Sequence, residues 1–473
     1  MPDRLKIALV GCGGMGRRHL RGIATLYQSS FSNVELVAVC DLNRENPGFL
    51  ADEAAELLGS CPRVYADIAA MVREMPKLEA TSVTTDAGSH HAVAVACLKA
   101  GLHLLCEKPL AVTLRGCNRI VETAKRAGKV VSVAENYRRD PINRLIRALI
   151  DDGAIGTPRV MFETGVNGRD RIVITPWRHM KEKGSITVDA GVHNADILRY
   201  YLGEVRSVYG ETRLHEKVRR NTGSAGPGGF YARWAPEFPD TIEPTGEDAL
   251  YALLTFESGA VGHWTYDAAG HGQPLRGRTV HGSLGSLECP GDRNGRPVKL
   301  HLDDGTVIDD ERVLEHAPTY RLSPLAAELF GGDRLWTYTL DLNEVDRRIV
   351  ATGIPRAGRV RPHGRCARAD GRGGPRGRRA GLRAVRGRAA RAGGDAGRAD
   401  RRPRRWLPAR DRRDARPAGR RPSLTRAHPF RTADIPLRTA SVRACLIILC
   451  QVHQRNQRPP HVVSRRQFFT IRR

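Results

Sequence analysis

A glycine-rich turn behind the first apolar run is the feature that most constrains how this chain folds. The stretch "LKIALVGCGGMGRRH" places Gly11, Gly13 and Gly16 in the spacing G-x-G-x-x-G, between a predicted strand and a predicted helix. In such a turn the glycines permit a tight bend, a close approach of the backbone to a pyrophosphate, and close packing of the helix on the strand. With Gly14 and Met15 inside it, the turn is predicted to hold the phosphates of a dinucleotide at a helix N-terminus.

Apolar runs alternate with helical stretches up to about residue 136. The strand-like runs are "LKIALVG", "VELVAVCD", "RVYAD", "ATSVTT", "HLLCEKP" and "VVSVAEN", and one of the helices between them is "SHHAVAVACLKAG". This alternation predicts an α/β domain with a doubly wound parallel sheet, the Rossmann arrangement, over residues 1–136.

The pattern changes after about residue 150 to longer alternating strands with hairpin turns. In "EDALYALLTFESGAVGHWTYD" the residues Glu257 to Gly259 supply the turn. The helix "TVDAGVHNADILRYYLG" interrupts the strands early. We therefore predict a second, α+β domain over residues 137–352, with a large and mainly antiparallel sheet.

Residues 353–473 form a basic tail of a different composition. From residue 351 onward there are 34 Arg and six Asp but neither Lys nor Glu, whereas the first 350 residues have a net charge of only −2. Such a segment has too little apolar area to offset chain entropy, which predicts disorder. Three explanations remain: a G+C-rich coding region translated out of frame, a plain disordered tail, or an arm that binds nucleic acid. Because the body is nearly neutral, we do not expect nucleic acid as its partner.

The remaining composition favours a cytoplasmic protein. None of the ten cysteines forms a C-x-x-C pair or a zinc-finger spacing, so we predict reduced thiols and no metal site. The N-terminus enters a strand at once, without the features of a signal peptide, and the run "CLIILC" is too short to span a bilayer. No membrane association is therefore expected.

An acid at the end of the second predicted strand indicates which dinucleotide binds. Asp41 closes "VELVAVCD", where a carboxylate can accept a hydrogen bond from a ribose 2′-hydroxyl and repel a 2′-phosphate. NAD is therefore favoured over NADP, although Arg44 nearby keeps NADP open. The alternative role for Asp41 is to cap the next helix.

The triplet after the fifth predicted strand is a candidate for catalysis. Glu107, Lys108 and Pro109 follow "HLLC", and in a doubly wound sheet ligands bind beyond the carboxyl ends of the strands. An ammonium group beside a nicotinamide is suited to proton transfer or to stabilising an alkoxide. The competing interpretation is a surface lysine that closes a loop.

A second candidate is the pair Asp189 and His193. The two residues are four apart on a predicted helix and so share a face. A carboxylate at that distance is expected to orient the imidazole as a general base for a hydroxyl proton. The alternatives are a solvated helix face and, for the nearby Asp196, a structural hydrogen bond.

Three stretches, taken together, point to a known family. "GCGGMG", "TTDAGSHHAVAVACLKAGLHLLCEKPLAVT" and "GSITVDAGVHNADILRYYLG" resemble, in this order, the glucose-fructose oxidoreductase / inositol dehydrogenase / rhizopine catabolism (Gfo/Idh/MocA) family over about residues 4–350. The resemblance implies catalytic roles for Lys108, Asp189 and His193. It further places Trp177 and Arg178, with His193, at the substrate, although packing is an alternative role for Trp177 and Arg178. It adds Thr85, His90, Glu107 and Lys108 to the cofactor contacts.

The chain departs from the family pattern in three places. The usual proline after the fourth strand is Asp86, and the usual glycine triplet before the catalytic helix is Gly184, Ser185 and Ile186. The final helical segment, which in the family returns to the first domain, is expected to be missing or unrecognisable because the Arg-rich sequence begins where it would continue.

These patterns predict an NAD-dependent oxidoreductase that acts on a secondary alcohol of a sugar, inositol or related polyol. Two alternatives are an NAD-dependent relative that cleaves glycosides and a non-catalytic regulator that binds NAD. A half-exposed antiparallel sheet also suggests a homo-oligomer, either a dimer or a tetramer.

Overall fold

A parallel sheet forms the first part of the protein, for which a computed structural model describes residues 4–223 and 230–354. Its six strands lie in the order β3-β2-β1-β4-β5-β6, which confirms the predicted doubly wound sheet. The order reverses between β1 and β4, and ligands bind beyond the strand ends at such a point. The strands are β1 (Leu5–Val10), β2 (Val34–Cys40), β3 (Arg63–Tyr65), β4 (Ala80–Val83), β5 (His103–Cys106) and β6 (Val131–Val133).

Among the described residues, five helices cover this sheet. Their ends carry local signals: the Thr113 hydroxyl accepts a hydrogen bond from the backbone N–H of Gly116 at the start of the fifth helix, and Gly128 ends that helix in the left-handed region. The helices are α1 (Gly14–Tyr27), α2 (Glu45–Leu58), α3 (Ile68–Glu74), α4 (His90–Lys99) and α5 (Leu114–Ala127).

The second sheet is mainly antiparallel, as predicted. Its eight strands lie in the order β16-β15-β14-β13-β7-β12-β11-β8, and only the β7–β12 pair is parallel among the described residues. A separate ribbon pairs β9 with β10. The strands are β7 (Val160–Gly168), β8 (Val205–Arg213), β9 (Arg219–Arg220), β10 (Thr241–Ile242), β11 (Ala249–Phe256), β12 (Val261–Gly270), β13 (Leu275–His281), β14 (Gly285–Cys289), β15 (Lys299–Leu302) and β16 (Val307–Ile308).

Three helices, α6 (Pro141–Asp151), α7 (Ser185–Leu202) and α8 (Pro324–Phe330), pack with the second sheet. The Asp140 carboxylate caps α6 at the backbone N–H of Ile142, and Pro141 occupies the first helical position. The longest of the described helices, α7, is buried along most of its length against a core that includes Trp264. Since α7 carries Asp189 and His193, this burial places both side chains inside the protein.

The last described helix, α9 (Leu342–Gly353), returns to the first domain. Val350 and Ala351 join the core that Leu20 and Ile23 of α1 help to form. A Cβ on Gly22 would lie 2.4 Å from a Val350 side-chain carbon, so the two helices approach closely. The helix α9 therefore reaches the first domain before the Arg-rich sequence begins, and the expectation that the family's final helical segment is missing past residue 350 falls on residues outside the described part of the chain.

The domain boundaries after residues 136 and 352 stay predictions, and the predicted tail lies outside the described residues from residue 355 onward. In the ranges 4–223 and 230–354, no helix is both long and apolar enough to cross a membrane.

Candidate active site

The glycine turn between β1 and α1 forms one wall of a cavity of about 400 Å³. Gly11 has a φ of +97°, and a Cβ on it would lie 2.6 Å from the backbone nitrogen of Thr85. A Cβ on Gly16 would lie 2.3 Å from the carbonyl oxygen of Gly11, whereas one on Gly13 would meet nothing within 4 Å. Gly13 precedes the first turn of α1 and offers no side-chain cap. The turn therefore has the steric openness that a closely bound phosphate group requires.

Most of the predicted site residues line this same cavity. On the nucleotide side these are Gly11, Gly13, Gly14, Met15 and Asp41, followed by Thr85, His90, Glu107 and Lys108. On the substrate side they are Trp177, Arg178 and Asp189. Gly16 and His193 are not among the lining residues: Gly16 packs against the turn, and His193 lies one helical turn beyond Asp189.

Asp41 is positioned by its own turn. One carboxylate oxygen accepts a hydrogen bond from the backbone N–H of Cys12 at 2.7 Å, and the other accepts one from Asn43 at 2.9 Å. The carboxylate thus links the end of β2 to the glycine turn while it lines the cavity.

His90 connects two turns of the site. Its Nδ1 lies 2.7 Å from the carbonyl oxygen of Pro109, and its Nε2 lies 3.0 Å from that of Thr85. The Lys108–Pro109 peptide bond is cis. The imidazole therefore links the Glu107–Lys108–Pro109 turn to the loop that follows β4.

The position that departs from the family pattern, Asp86, is engaged in an ion pair. Its carboxylate lies 2.8 Å from the ammonium of Lys183, which precedes α7. Burial alone would raise the pKa of Asp86, but the hydrogen bond and charge of Lys183 lower it. This pair bridges the first sheet and the second domain at the rim of the cavity.

Glu107 points away from solvent toward α1. Its carboxylate lies 2.9 Å from His19 Nε2 and also accepts a hydrogen bond from the backbone N–H of Lys108 at 3.0 Å. Burial alone would raise the pKa of Glu107, but His19, Lys108 and Arg18 lower it to about 2. Glu107 is thus a buried anion that anchors the turn carrying Lys108.

Lys108 contacts Asp189 of α7, which is 81 residues later in the chain. Its ammonium donates hydrogen bonds to the backbone oxygen of Asp189 at 2.9 Å and to Oδ1 of the same residue at 3.1 Å. The guanidinium of Arg178 donates to Oδ2 at 2.8 Å. Burial alone would raise the pKa of Asp189, but the two cations lower it well below its usual range. One buried carboxylate therefore holds both cations at the cavity.

Asp189 does not orient His193. The Nδ1 of His193 lies 2.9 and 2.8 Å from the two carboxylate oxygens of Glu135, which follows β6. Tyr137 stacks on the imidazole with the ring centroids 4.3 Å apart and the planes 9° from parallel. The predicted Asp189–His193 pairing is thus replaced by a Glu135–His193 pair, because both oxygens of Asp189 are occupied by cations.

Two aromatic rings surround Arg178. Its guanidinium carbon lies 4.6 Å from the centroid of Trp177 and 5.2 Å from that of Tyr231. The Tyr231 side chain also reaches Gly14, where an added Cβ would lie 2.8 Å from the ring. Tyr231 therefore spans the cavity from the substrate side to the glycine turn.

Comparison with known proteins assigns the chain to a family. Residues 5–135 match the model of an oxidoreductase family with an NAD-binding Rossmann fold (GFO_IDH_MocA), and residues 143–288 match the GFO/IDH/MocA C-terminal domain. D-apiose dehydrogenase from Paraburkholderia graminis is 30% identical over 311 residues, which cover 64% of this chain and 71% of that protein. The chain belongs to the GFO/IDH/MocA oxidoreductase family.

Further relatives agree with this assignment to the GFO/IDH/MocA family. Inositol 2-dehydrogenase 2 from Saccharopolyspora erythraea is 30% identical over 286 residues, covering 60% of this chain and 72% of that protein. An NAD binding oxidoreductase from Klebsiella pneumoniae has a solved structure with a TM-score of 0.57 at 25% identity, covering 74% of this chain and 89% of that one. The resemblance predicted from the sequence motifs is thereby confirmed.

Sequence reasoning missed two residues of this GFO/IDH/MocA site. Glu135 follows a strand of the parallel sheet, as Asp41 and Glu107 do, and an acid at the carboxyl end of such a strand was a usable signal. Tyr231 lies in a loop between β9 and β10, and no pattern in the sequence distinguishes it.

Proposed function

We propose that the protein is an NAD-dependent dehydrogenase that oxidises a secondary alcohol of a sugar, inositol or related polyol. The observation that carries this proposal is the position of the Lys108 ammonium, held by Asp189 in the cavity that the glycine turn also lines. A cation beside a dinucleotide site is suited to an alcohol whose oxygen gains negative charge during the reaction.

The residues of the first domain fit NAD. The open space at Gly13 and the start of α1 suit the pyrophosphate, and the Asp41 carboxylate, which lines the cavity, suits a ribose hydroxyl. When bound, NAD supplies the nicotinamide carbon that accepts hydride. Thr85, His90 and Glu107, which line the cavity after β4 and β5, would complete the contacts.

We assign three roles to the residues on the substrate side of the cavity. Lys108 binds the substrate oxygen and stabilises it as the proton leaves. His193 receives that proton through Nε2, since Glu135 engages Nδ1. Asp189 holds Lys108 and Arg178 in place, while Trp177 and Arg178 contact the rest of the substrate.

The substrate class follows from the relatives as well as from the site. The two similar dehydrogenases act, by their names, on apiose and on inositol, both of which carry several adjacent hydroxyl groups. Arg178, buried between two aromatic rings, offers hydrogen-bond donors beside apolar surface, which suits such a polyol.

Formation of NADH tests the proposal. The full-length protein is incubated with NAD and a panel of inositols, aldoses, anhydrosugars and aldonic acids, and absorbance at 340 nm is followed. We expect turnover with at least one free polyol. Binding of NAD without turnover on the whole panel, or cleavage of a glycoside without net NADH, would contradict it.

Cofactor preference is tested at Asp41. Replacing Asp41 by Ser removes the charge that would repel a 2′-phosphate but keeps a short polar side chain. We expect kcat/KM to fall with NAD and to rise with NADP, while Asp67→Ser, at another cavity-lining carboxylate, leaves the ratio nearer to wild type. An unchanged ratio in the Asp41 variant would remove Asp41 from cofactor selection.

We also propose that the protein forms a homo-oligomer through the outer face of its second sheet. Tyr209, Leu253, His263 and Phe162 are cross-strand neighbours on β8, β11, β12 and β7, and all four side chains are exposed. Such a continuous row of apolar and aromatic groups is typical of an interface. Light scattering on wild type and on Leu253→Lys tests this: we expect a dimer or tetramer that the added charge dissociates, whereas a wild-type monomer would contradict it.

A cytoplasmic location is proposed on the basis of the thiols. Cys12, Cys40, Cys97, Cys106, Cys117 and Cys289 are free and buried, and burial raises the pKa of Cys40 to about 12. Uncharged thiols of this kind suit a reducing compartment. Fractionation of cells that produce the protein would test the location.

A further inference from the structure

The contact between Glu135 and His193 joins two elements that are 58 residues apart in the chain. Glu135 follows β6, and only 3% of its surface is exposed. His193 is 8% exposed, and both oxygens of the carboxylate lie within 2.9 Å of its Nδ1. A buried carboxylate at this distance from an imidazole nitrogen accepts a strong hydrogen bond from the N–H group of that nitrogen.

We propose that Glu135 is the positioning residue of the catalytic histidine: it accepts the Nδ1 hydrogen of His193 and so keeps the Nε2 lone pair free to receive the substrate proton. This inference rests on the proposed function for its catalytic consequence, although the hydrogen bond itself does not. In neutral imidazole one nitrogen donates and the other accepts, so a partner that only accepts decides which tautomer is present.

The arrangement of the neighbouring carboxylate supports this assignment. Asp189 is one turn before His193 on α7, but its Oδ1 binds Lys108 and its Oδ2 binds Arg178. Arg178 is buried with it and Lys108 is mostly buried, so a rotation toward His193 would leave two charges without their partner. Asp189 is therefore committed to the cations, and Glu135 is the carboxylate that serves the imidazole.

The surroundings of Glu135 restrict the imidazole further. Glu135 Oε1 also accepts a hydrogen bond from the backbone N–H of Tyr137 at 2.8 Å, and the ring of Tyr137 stacks on His193. Asn143 donates to the carbonyl oxygen of Tyr137 at 2.9 Å, and the Arg293 guanidinium lies 5.1 Å from the Tyr137 ring centroid. The Glu135 carboxylate thus accepts the hydrogen bond of His193 and also holds the backbone of Tyr137, whose ring packs on the imidazole.

The division of labour between two carboxylates has a chemical reason. The lysine must remain a cation to stabilise an alkoxide, whereas the histidine must be able to gain a proton during the same step. A single carboxylate shared by both would bring the two positive charges together when the histidine becomes protonated. A separate partner gives the protonated histidine its own anion and adds no third cation to Asp189, which already binds Lys108 and Arg178.

Two variants test the inference without any substrate. In the cofactor-free protein labelled with 15N-histidine, we expect the His193 signals, assigned by comparison with His193→Gln, to show hydrogen on Nδ1. Glu135→Gln introduces an amide that can donate to Nδ1, so we expect the hydrogen to move to Nε2. Glu135→Asp retains a carboxylate and is expected to restore at least part of the wild-type signal. Hydrogen on Nε2 in the wild type, or an unchanged tautomer in Glu135→Gln, would overturn the inference.

Kinetics give the second readout. On a polyol that the wild type oxidises, we expect Glu135→Gln to lower kcat by about 10²-fold or more while KM changes less than about threefold, and Glu135→Asp to recover part of kcat. Equal losses in both variants, with a tautomer like that of wild type, would assign Glu135 a merely structural role.

Asp196→Asn is the matched control. Asp196 is three residues after His193 and is also buried, but its carboxylate binds Arg138. We expect this variant to lower the melting temperature without changing the His193 tautomer; a changed tautomer would attribute the effect to general loosening of α7. If the wild type oxidises no polyol, the proposed function fails, whereas the tautomer measurement still decides the role of Glu135.

Discussion

The two halves of the cavity are built in different ways. In the nucleotide half, Gly11, Asp41 and Thr85 each lie in a turn directly after a strand of one parallel sheet, and Asp41 bonds to backbone N–H groups. In the substrate half, Lys108 and Asp189 meet from elements 81 residues apart and form an ion pair whose carboxylate is buried. The first half depends on backbone shape, whereas the second depends on opposite charges that only the folded chain brings together.

Because the two halves are built differently, substitutions in them should affect different measured properties. A change of shape at the glycine turn should alter folding where backbone fills the space that a side chain would need, as at Gly16, and cofactor affinity where that space is open to the phosphates, as at Gly13. A change of charge at Lys108 should alter the rate of the reaction, because its interaction with the substrate strengthens as negative charge develops. Four experiments test this separation.

Lys108→Met is expected to have the largest effect. It keeps the length of the side chain and removes its charge, so we expect kcat to fall by about 10³-fold, equivalent to about 4 kcal/mol in the transition state, with a much smaller change in NAD affinity. NADH formation and titration of NAD by calorimetry measure the two quantities. Unchanged turnover would exclude Lys108 from the mechanism.

A pair of alanine substitutions separates two roles within the glycine turn. Gly16→Ala would place a Cβ 2.3 Å from the Gly11 oxygen, so we expect it to lower the free energy of unfolding by about 3 kcal/mol. Gly13→Ala meets no atom within 4 Å, so we expect a fold of wild-type stability that binds NAD at least tenfold more weakly. Thermal melts and NAD titrations check both. Wild-type NAD affinity in Gly13→Ala would contradict the assignment of this position to the pyrophosphate.

Acid titration examines the turn that links the two halves. The pKa of Glu107 in the folded protein is about 2, below its ordinary value of 4.5, so its ionised form stabilises the fold above pH 4.5 and this contribution is lost as the pH falls toward 2. We expect the free energy of unfolding to decline by an amount on the order of 2–3 kcal/mol over that range, and Glu107→Gln to flatten the decline.

Glu163→Gln serves as the control for this titration. Burial raises the pKa of Glu163, despite the Arg278 guanidinium beside it, so its removal should not flatten the acid-side decline. Equal slopes for wild type and Glu107→Gln in chemical denaturation at several pH values would contradict the role of Glu107.

The ion pair at the rim is expected to have the smallest effect. Asp86 and Lys183 are each about one-third exposed, so Lys183→Met should lower the free energy of unfolding by less than about 1 kcal/mol, and the difference should shrink at high salt. Melting temperatures in low and high salt measure it, with Arg126→Met, at the exposed pair with Glu122, as the control. A loss of several kcal/mol would show that the two domains depend on this pair.

Much of the fold follows from the sequence because its signals are local. The six strands of the first sheet, the hairpin turn at Glu257 to Gly259 and the helix carrying Asp189 lie where apolar periodicity predicts them. The return of α9 to α1 was not predicted, because the contact between Val350 and Gly22 joins distant segments and produces no recognisable sequence pattern in either of them.

The candidate site divides in the same way. Nearly all the residues predicted to line it do so, since strand ends of a parallel sheet gather at one edge whatever the details of packing. The partners within the site were not predictable from spacing. Asp189 and His193 share a helix face, yet each bonds to residues of other elements.

The sequence by itself determined the parallel sheet, the glycine turn, the family and the residue types present at the cavity, because these depend on periodicity and on groups close together in the chain. Only the tertiary structure decided which carboxylate binds the two cations and which one binds the histidine. A buried carboxylate is stabilised by the positive charges next to it, so Asp189 pairs with Arg178 and Lys108. Glu135, which follows β6, lies next to His193 in the folded chain and accepts its hydrogen bond.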